Sequence, residues 1–420
     1  MNDSVMSKNK AGEEKEKSNQ KIIFGVSVPI FLMGLVSFFT DVSSEMITSI
    51  LPFFIISIGG TALTLGIISG ITTALSNVLK GFSGWLSDKV NKRKPFVVAG
   101  YTISNLSKPF IGFSPSWEYV LGLKATDRFG KGLRTSARDT MISYHAVEKG
   151  KAFGMHRSMD TLGAVVGSLL ATLFLFWAWT YSQIIFFSIF PGLCAVVFIL
   201  VVKDVDPNNI DETKLKFYGQ PKVDEIDRKF IKLIIILGVI EFASLDIVFL
   251  QIRSRDFLIM PEMEFLIPLL FLLSNIVYMI LSPLTGKLSD KVGRKPVIIV
   301  GLTVLLISCN ILAIPMTISW LSLILIIIVY VMFGFYLASV DPISRAYIAD
   351  LAGKNKRGRA YGYYYLSVGL ISMAEGILFG IIYDSFSFLV AFIYVSVLLI
   401  VCIIVFTTTD FSRILQKSED

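Results

Sequence analysis

Hydrophobic and polar positions along this chain fall into long blocks rather than short alternating runs. Apolar segments lie at 23–57, 62–87, 95–113, 117–143, 150–177 and 181–203, and again at 229–252, 263–287, 296–315, 319–349, 358–384 and 386–408. Each is close to or above the roughly twenty residues a helix needs to cross about 30 Å of hydrocarbon. Helices satisfy their own backbone hydrogen bonds in lipid, so the pattern predicts twelve spans and an all-α membrane protein. A polar stretch at 204–228 separates the sixth span from the seventh. It reads as a cytoplasmic linker between an N-terminal six-helix bundle at 22–203 and a C-terminal one at 229–409. Residues 1–21 are rich in Lys and Glu, without an early apolar core or cleavage site, so a cytoplasmic tail is expected there rather than a signal peptide. The end, 410–420, reads as a second cytoplasmic tail.

One segment departs from the others. Within 117–143, Lys124, Asp127, Lys131, Arg134 and Arg138 recur at steps of three or four, so they share one helical face. The sidedness of the loops is kept only if this stretch also crosses the bilayer. A charged side chain at the bilayer centre costs about 2.5–3.5 kcal/mol on insertion scales, so the stripe must face protein or water rather than lipid. The remaining helices then form a scaffold around a wet, charged cavity.

Composition agrees with this reading. Of 420 residues, 54% are hydrophobic and 17% charged, against about a quarter charged in soluble domains. The net charge of +7 comes from cations gathered in alternate loops. These are Lys89, Lys92, Arg93 and Lys94; Lys149 and Lys151; Lys203; Lys291, Arg294 and Lys295; and Lys354, Lys356, Arg357 and Arg359. The opposite loops, near Gly59, Ser114, Tyr181, Thr317 and Ser385, are almost bare of cations, with Arg253 and Arg255 the exceptions. The positive-inside rule places both termini in the cytoplasm of a multi-pass cell-membrane protein. Charge distributed in this way excludes nucleic acid as a partner. Cys194, Cys309 and Cys402 sit inside apolar runs, and with His145 and His156 they show no metal-ligand spacing. No disulfide framework, metal or cofactor is expected.

The two halves repeat. GWLSDKVNKRKP at 84–95 returns as GKLSDKVGRKP at 286–296, and GKAFG at 150–154 as GRAYG at 358–362. Asp41 in the first span has a counterpart in Asp246 in the seventh. The three offsets are 202, 208 and 205 residues. Parallel six-helix repeats are a transporter architecture, with the substrate site near the midplane where the repeats face each other.

These paired loops, in a twelve-span chain with a central linker, resemble the major facilitator superfamily over about 23–408. The second copy fits the family's loop pattern throughout; the first has Asn91 where Gly is usual and Lys92 where Arg is usual. The resemblance implies two pseudo-symmetric six-helix bundles. It also implies that Gly84, Asp88, Arg93, Gly286, Asp290, Gly293 and Arg294 form cytoplasmic gate loops that latch that side of the molecule. In these loops the glycines would permit close helix packing, and the two Asp carboxylates would meet a cation or a helix N-terminus. Gly163-Ala164-Val165-Val166-Gly167-Ser168 resembles the family's antiporter motif in the fifth span, with Ser168 where Pro is usual. A plain packing face is the alternative reading of Gly163 and Gly167.

Every third helix is peripheral in this family, and the third, sixth, ninth and twelfth segments carry no ionisable residue in their interiors. The other spans hold Asp41, Glu45, Lys80, the stripe with Arg128, His156, Arg157 and Asp160, then Glu241, Asp246, Asp341, Arg345 and Glu375. Intramembrane charge marks pathways and proton relays. Asp41 and Glu45 lie one helical turn apart, so both can face the stripe of the fourth span. They are candidate proton carriers, with Arg128, Lys131 and Arg134 as gating cations; a permanent ion network is the alternative. The fourth span loosely resembles the family's basic motif, and any of its cations can take the Arg role.

The expectation is therefore a secondary active transporter of a small-molecule substrate, coupled to protons, embedded in the lipid bilayer and monomeric. An organic-anion uniporter or exchanger, with the fourth-span cations as substrate ligands, is the alternative. A membrane-embedded enzyme finds no nucleotide loop, metal-binding His pattern or nucleophile elbow to support it.

Overall fold

The computed structural model describes residues 22–23, 26–90, 93–146, 149–202, 235, 237–258, 261–315 and 319–408. The expected tails at 1–21 and 410–420 and the linker at 204–228 lie outside these residues. Two short antiparallel strands, Ile22–Ile23 (β1) and Val26–Ser27 (β2), pair with Ile22 opposite Ser27. The first helix therefore starts at Val28, not at residue 23.

Helix α1 (Val28–Thr48) and helix α2 (Leu51–Ser57) make the first span. The break between them has a covalent cause. Pro52 has no N–H to give the carbonyl of Thr48. Gln251, from the other half of the chain, donates its Nε2 to Thr48 O and Ser49 O, both at 3.4 Å. Helices α3 (Ala62–Val90), α4 (Lys94–Phe110), α5 (Trp117–His145) and α6 (Lys149–Phe176) follow, and α4 has a proline in its first turn, where no donor is wasted. The sixth span is split into α7 (Tyr181–Phe187), opened by a Thr180–Gln183 capping box, and α8 (Ile189–Val201).

The seventh span is also interrupted, a feature the hydropathy pattern does not reveal. It is helical at 237–242, non-helical over 243–246, and helical again in α9 (Ile247–Leu258). Asp246 caps the second piece by accepting the N–H of Val248 at 3.0 Å. Helices α10 (Ile267–Val292), α11 (Arg294–Ala313), α12 (Ser319–Ser385) and α13 (Phe388–Thr408) complete the chain. At 67 residues, α12 would be about 100 Å long if straight. It is not straight: Tyr336 and Arg345 line the same cavity as Tyr364 and Glu375. The chain thus turns back between the tenth and eleventh spans while keeping helical backbone.

Nine stretches among the described residues are long and apolar enough to cross a bilayer on composition alone. Absent from that set are α4, short at 17 residues, the charged α5 and the interrupted seventh span. Restored to their places between neighbours, they give an all-α fold of twelve transmembrane helices in two pseudo-symmetric six-helix bundles. Large apolar side chains on the outer helices are uncovered, among them Val197 on α8 and Ile404 on α13, and these form the coat that lipid covers.

The two bundles touch along α3 and α12. A Cβ on Gly66 would lie 1.9 Å from Gly376 O, one on Gly70 2.5 Å from Met373 Cα, and one on Gly380 2.6 Å from Leu63 Cα. Gly66-Ile-Ile-Ser-Gly70 and Gly376-Ile-Leu-Phe-Gly380 are small-xxx-small stripes that let the backbones meet.

Polar contacts cluster at the end of the molecule opposite the cation-rich loops. The Asp384 carboxylate accepts the N–H of Ala62 at 3.1 Å and of Leu63 at 2.8 Å, both at the start of α3. Tyr181 donates to Glu264 at 2.5 Å, and Arg255 pairs with Glu264 at 2.6 Å. Arg253 is buried, donates to Leu312 O at 2.9 Å and Ile314 O at 2.8 Å, and lies 3.7 Å over the Phe388 ring. The two exceptions to the loop-charge rule are thus structural clamps. Asp384→Ala leaves two helix N-terminal donors without their acceptor, a loss of about 1 kcal/mol, or several-fold in population. Thiol labelling of Thr73→Cys from this end should quicken accordingly; an unchanged rate would show that Asp384 does not hold the end shut.

Candidate functional site

In the N-terminal bundle, charged side chains converge from four helices. Helix α1 brings Asp41 and Glu45, α4 brings Lys108, α5 brings Lys124, Asp127, Arg128, Lys131 and Arg134, and α6 brings Asp160. Asp127 is buried, accepts a hydrogen bond from Ser104 Oγ at 2.6 Å and lies 3.9 Å from Arg128 Nε. Asp41 stands in the field of Asp160, Lys131, Lys108 and Arg134. Glu45 stands in that of Asp41, Lys131, Arg128 and Lys124. Among the described residues neither acid closes a contact ion pair. Lys131 is exposed yet lies in the field of Asp41 and Asp127, as a side chain bordering open space inside the bundle would.

The cations of α5 are not equivalent. Arg134 is 4% exposed, lies 4.2 Å from the centre of the Tyr101 ring and donates to Gly100 O at 3.4 Å. There α4 and α5 touch backbone to backbone, because a Cβ on Gly100 would be 2.6 Å from Gly130 O. Arg134 therefore braces that helix pair and does not reach into the open space. Arg138 pairs with its neighbour Asp139 at 2.8 Å. Asp160 accepts a hydrogen bond from Ser37 Oγ and lies 3.6 Å from His156 Nδ1. Gly163 and Gly167 hold α6 in that position: a Cβ would come within 2.4 Å of Phe38 O and 2.5 Å of Val42 O on α1. Backbone contact between α1 and α6 is what brings Asp160 beside Asp41.

Lys108 corrects the sequence reading of the third span, which took its interior as free of ionisable residues. The helix ends at Phe110, and a short 3-10 turn at Ile111–Phe113 carries the chain away, so Lys108 lies inside the protein. It is 3% exposed and donates to Asn105 Oδ1 at 3.0 Å and to Thr40 O at 3.3 Å. It stands two residues from the helix end and was passed over as lying outside the interior.

The second half has a different character. A cavity of about 510 Å³ is lined by Glu241, Asp246, Asp341, Arg345 and Glu375, with Tyr336, Tyr364 and Tyr365 and with Thr73 and Asn77 of α3. Ser372 Oγ donates to Glu241 at 2.6 Å, and Ser69 Oγ of α3 donates to Asp246. Asp341 accepts from Tyr278 at 3.1 Å and from Arg345 at 2.6 Å. The sequence-derived acids of the C-terminal half therefore share one chamber, apart from the α1–α5 cluster.

Asp290 pairs with Arg294 one turn on, and Arg294 also donates to Ser289 Oγ at 2.7 Å. Gly293 closes α10 at φ 92°, a conformation that favours glycine. A Cβ on Gly286 would meet nothing within 4 Å, so close packing does not explain that glycine. Arg93 is buried at the start of α4. The surroundings of Gly84 and the side chains of Asp88 and Lys80 lie outside what is described.

Comparison with known proteins gives the chain its place. The Major Facilitator Superfamily profile matches residues 33–259 and 261–418. An uncharacterised MFS-type transporter of Methanocaldococcus jannaschii is 34% identical over 398 residues, covering 93% of this chain and 97% of that one. A homolog of the multi-drug resistance efflux pump PmrA in Lactococcus lactis is 24% identical over 400 residues, covering 92% and 96%. The crystal structure of the nucleoside transporter NupG superposes with a TM-score of 0.77 over 91% of this chain and 98% of that one. At 12% identity this last likeness is one of fold alone. With residues 33–259 and 261–418 matched by the family profile and its twelve helices arranged in that fold, the chain belongs to the Major Facilitator Superfamily: it is a multi-pass membrane transporter, not an enzyme.

Proposed function

We propose that this protein is a secondary active transporter that moves a small solute by alternating access, coupled to protons through Asp41 and Glu45. The supporting observation is that both acids lie among the cations of α4 and α5 without closing a contact pair with any described residue. A carboxyl placed in this way is free to trade its proton as the surrounding field changes. Lys131, open to the interior, is the principal gating cation, with Arg128 and Lys108 beside it. Bundles 22–203 and 229–409 rock against each other along α3 and α12, in a monomer of the cell membrane with both termini cytoplasmic. The rival reading, an organic anion held by the α5 cations, is the weaker, because Asp41, Glu45 and Asp127 already supply negative charge there.

The test uses vesicles with the membrane potential clamped at zero and a solute found by thermal-shift screening, since a bound solute raises apparent stability. An imposed pH gradient should drive its accumulation, and Asp41→Asn should lose that component while still exchanging solute. Accumulation indifferent to the gradient in wild type would end the proton-coupling reading.

A further inference from the structure

Sign of charge divides this molecule. The α4–α5 cluster is rich in Lys and Arg, whereas the chamber of the second half holds four carboxyl groups and, among its lining residues, one cation. That cation, Arg345, is already committed to Asp341 at 2.6 Å. Glu241, Asp246 and Glu375 are left without a basic partner on the chamber wall. Glu241 and Asp246 each accept at least one hydrogen bond. Glu375 is in a different position: it is 4% exposed, lines the chamber, and its Oε1 has no hydrogen-bond partner among the described residues. A buried polar atom without a partner is costly, and more so when charged, so the structure leaves a ligand something to satisfy.

Aromatic rings complete the setting. Tyr336, Tyr364, Tyr365, Phe333 and Phe271 line the same chamber. Tyr364 and Tyr365 are tilted against each other with centroids 5.4 Å apart, and Phe333 and Tyr336 are 5.7 Å apart. Ring faces near carboxylates attract alkylammonium and other soft organic cations. A volume of about 510 Å³ falls in the range of small-molecule pockets. Thr73 and Asn77 of α3 belong to the wall, so a ligand here would touch both bundles.

We propose that this chamber is a binding site for an organic cation with an aromatic or alkyl body, with Glu375 as its anchoring carboxylate and the tyrosines as its cage. The proposal rests on the transporter reading above and assigns it a substrate class. Its occupant differs in sign from the anion that the α5 cations would suggest.

The test is equilibrium binding to the full-length protein in detergent, where no gradient exists and proton coupling plays no part. Tetraphenylphosphonium and tetraphenylborate have the same shape and opposite charge, and each is titrated separately, following ligand-induced thermal stabilisation. Tetraphenylphosphonium should stabilise the protein and tetraphenylborate should not. Glu375→Gln should weaken tetraphenylphosphonium binding by about tenfold or more, the worth of a charge-assisted contact. The exposed-surface control Glu118→Gln should bind as wild type does. If Glu375→Gln gives no cooperative melt, Glu241→Gln and Asp246→Asn carry the test in its place. Equal binding of the two ions, no binding of the cation, or unchanged affinity in every folded acid variant would overturn the proposal. Sign-selective binding together with transport indifferent to a pH gradient would keep this inference and sink the proton-coupling one.

Discussion

Gly66→Leu should leave each bundle folded yet prevent their full closure at the end marked by Asp384. The obstacle is backbone: an added Cβ would stand 1.9 Å from the carbonyl oxygen of Gly376, and no side chain can swing aside to admit it. Overpacking of this kind costs about 1–3 kcal/mol in a fixed core. Here the two surfaces belong to bundles that must part during transport, so separation relieves the clash without unfolding either one. A bias of that size shifts a two-state equilibrium by roughly 5- to 150-fold. Labelling of Thr73→Cys from that end should accelerate within this range, while the melting temperature falls little. Labelling at the wild-type rate would show that the α3–α12 crossing is not part of the moving interface.

Asp41→Asn should sharply weaken the response of the conformation to pH. Protonating Asp41 cancels its attraction to Lys131, Lys108 and Arg134 and its repulsion of Asp160, so on the proposed coupling, where these groups stand differently in the two conformations, the balance shifts with pH. A pH difference of one unit is worth about 1.4 kcal/mol per proton, or about tenfold in a population, if one carboxyl sets the switch. Spin labels at Phe113→Cys and Phe386→Cys, both at the Asp384 end and both exposed, report the separation of the bundles without any substrate. Their distance distribution should change with pH in wild type and change markedly less in Asp41→Asn. A shift of the same size in both proteins would move the switch elsewhere, with the C-terminal carboxyls next in line.

Most of the architecture was legible because membrane insertion is a strict filter. Twenty-residue apolar runs, cations confined to alternate loops and the repeated Gly-x-Leu-Ser-Asp-Lys loops each follow from one physical constraint and agree with one another. Finer features escaped for particular reasons. The interruption at 243–246 contains Ser244, Leu245 and Asp246 but neither Gly nor Pro, so no local breaker announces it. The turn between the tenth and eleventh spans keeps helical backbone, and composition alone placed a loop there. Lys108 was passed over because it stands near the end of its segment.

Other residues were invisible because their partners are remote in sequence. Asp384 caps a helix 322 residues away, and Gln251 satisfies carbonyls freed by Pro52 from the opposite half. Gly66, Gly70, Gly376 and Gly380 did carry a signal, the same small-xxx-small spacing that drew attention to Gly163 and Gly167. What no sequence spacing could show is their mating: one stripe from each half, crossing where the bundles meet. The charged stripe of α5 likewise marked a set of residues but not its division of labour, since Arg134 packs on Tyr101 while Lys131 is exposed.

The account depends on water reaching the charged residues of α5, and Lys131 is the position at which to ask. With Cys194, Cys309 and Cys402 replaced by serine, Lys131→Cys in native membranes should react rapidly with a charged, membrane-impermeant methanethiosulfonate reagent. Val197→Cys, on the uncovered outer face of α8, should resist that reagent and yield only to a lipophilic maleimide. Should Lys131→Cys resist both reagents, or behave as Val197→Cys does, the residue lies in a sealed core or in lipid, and the solvated passage does not exist.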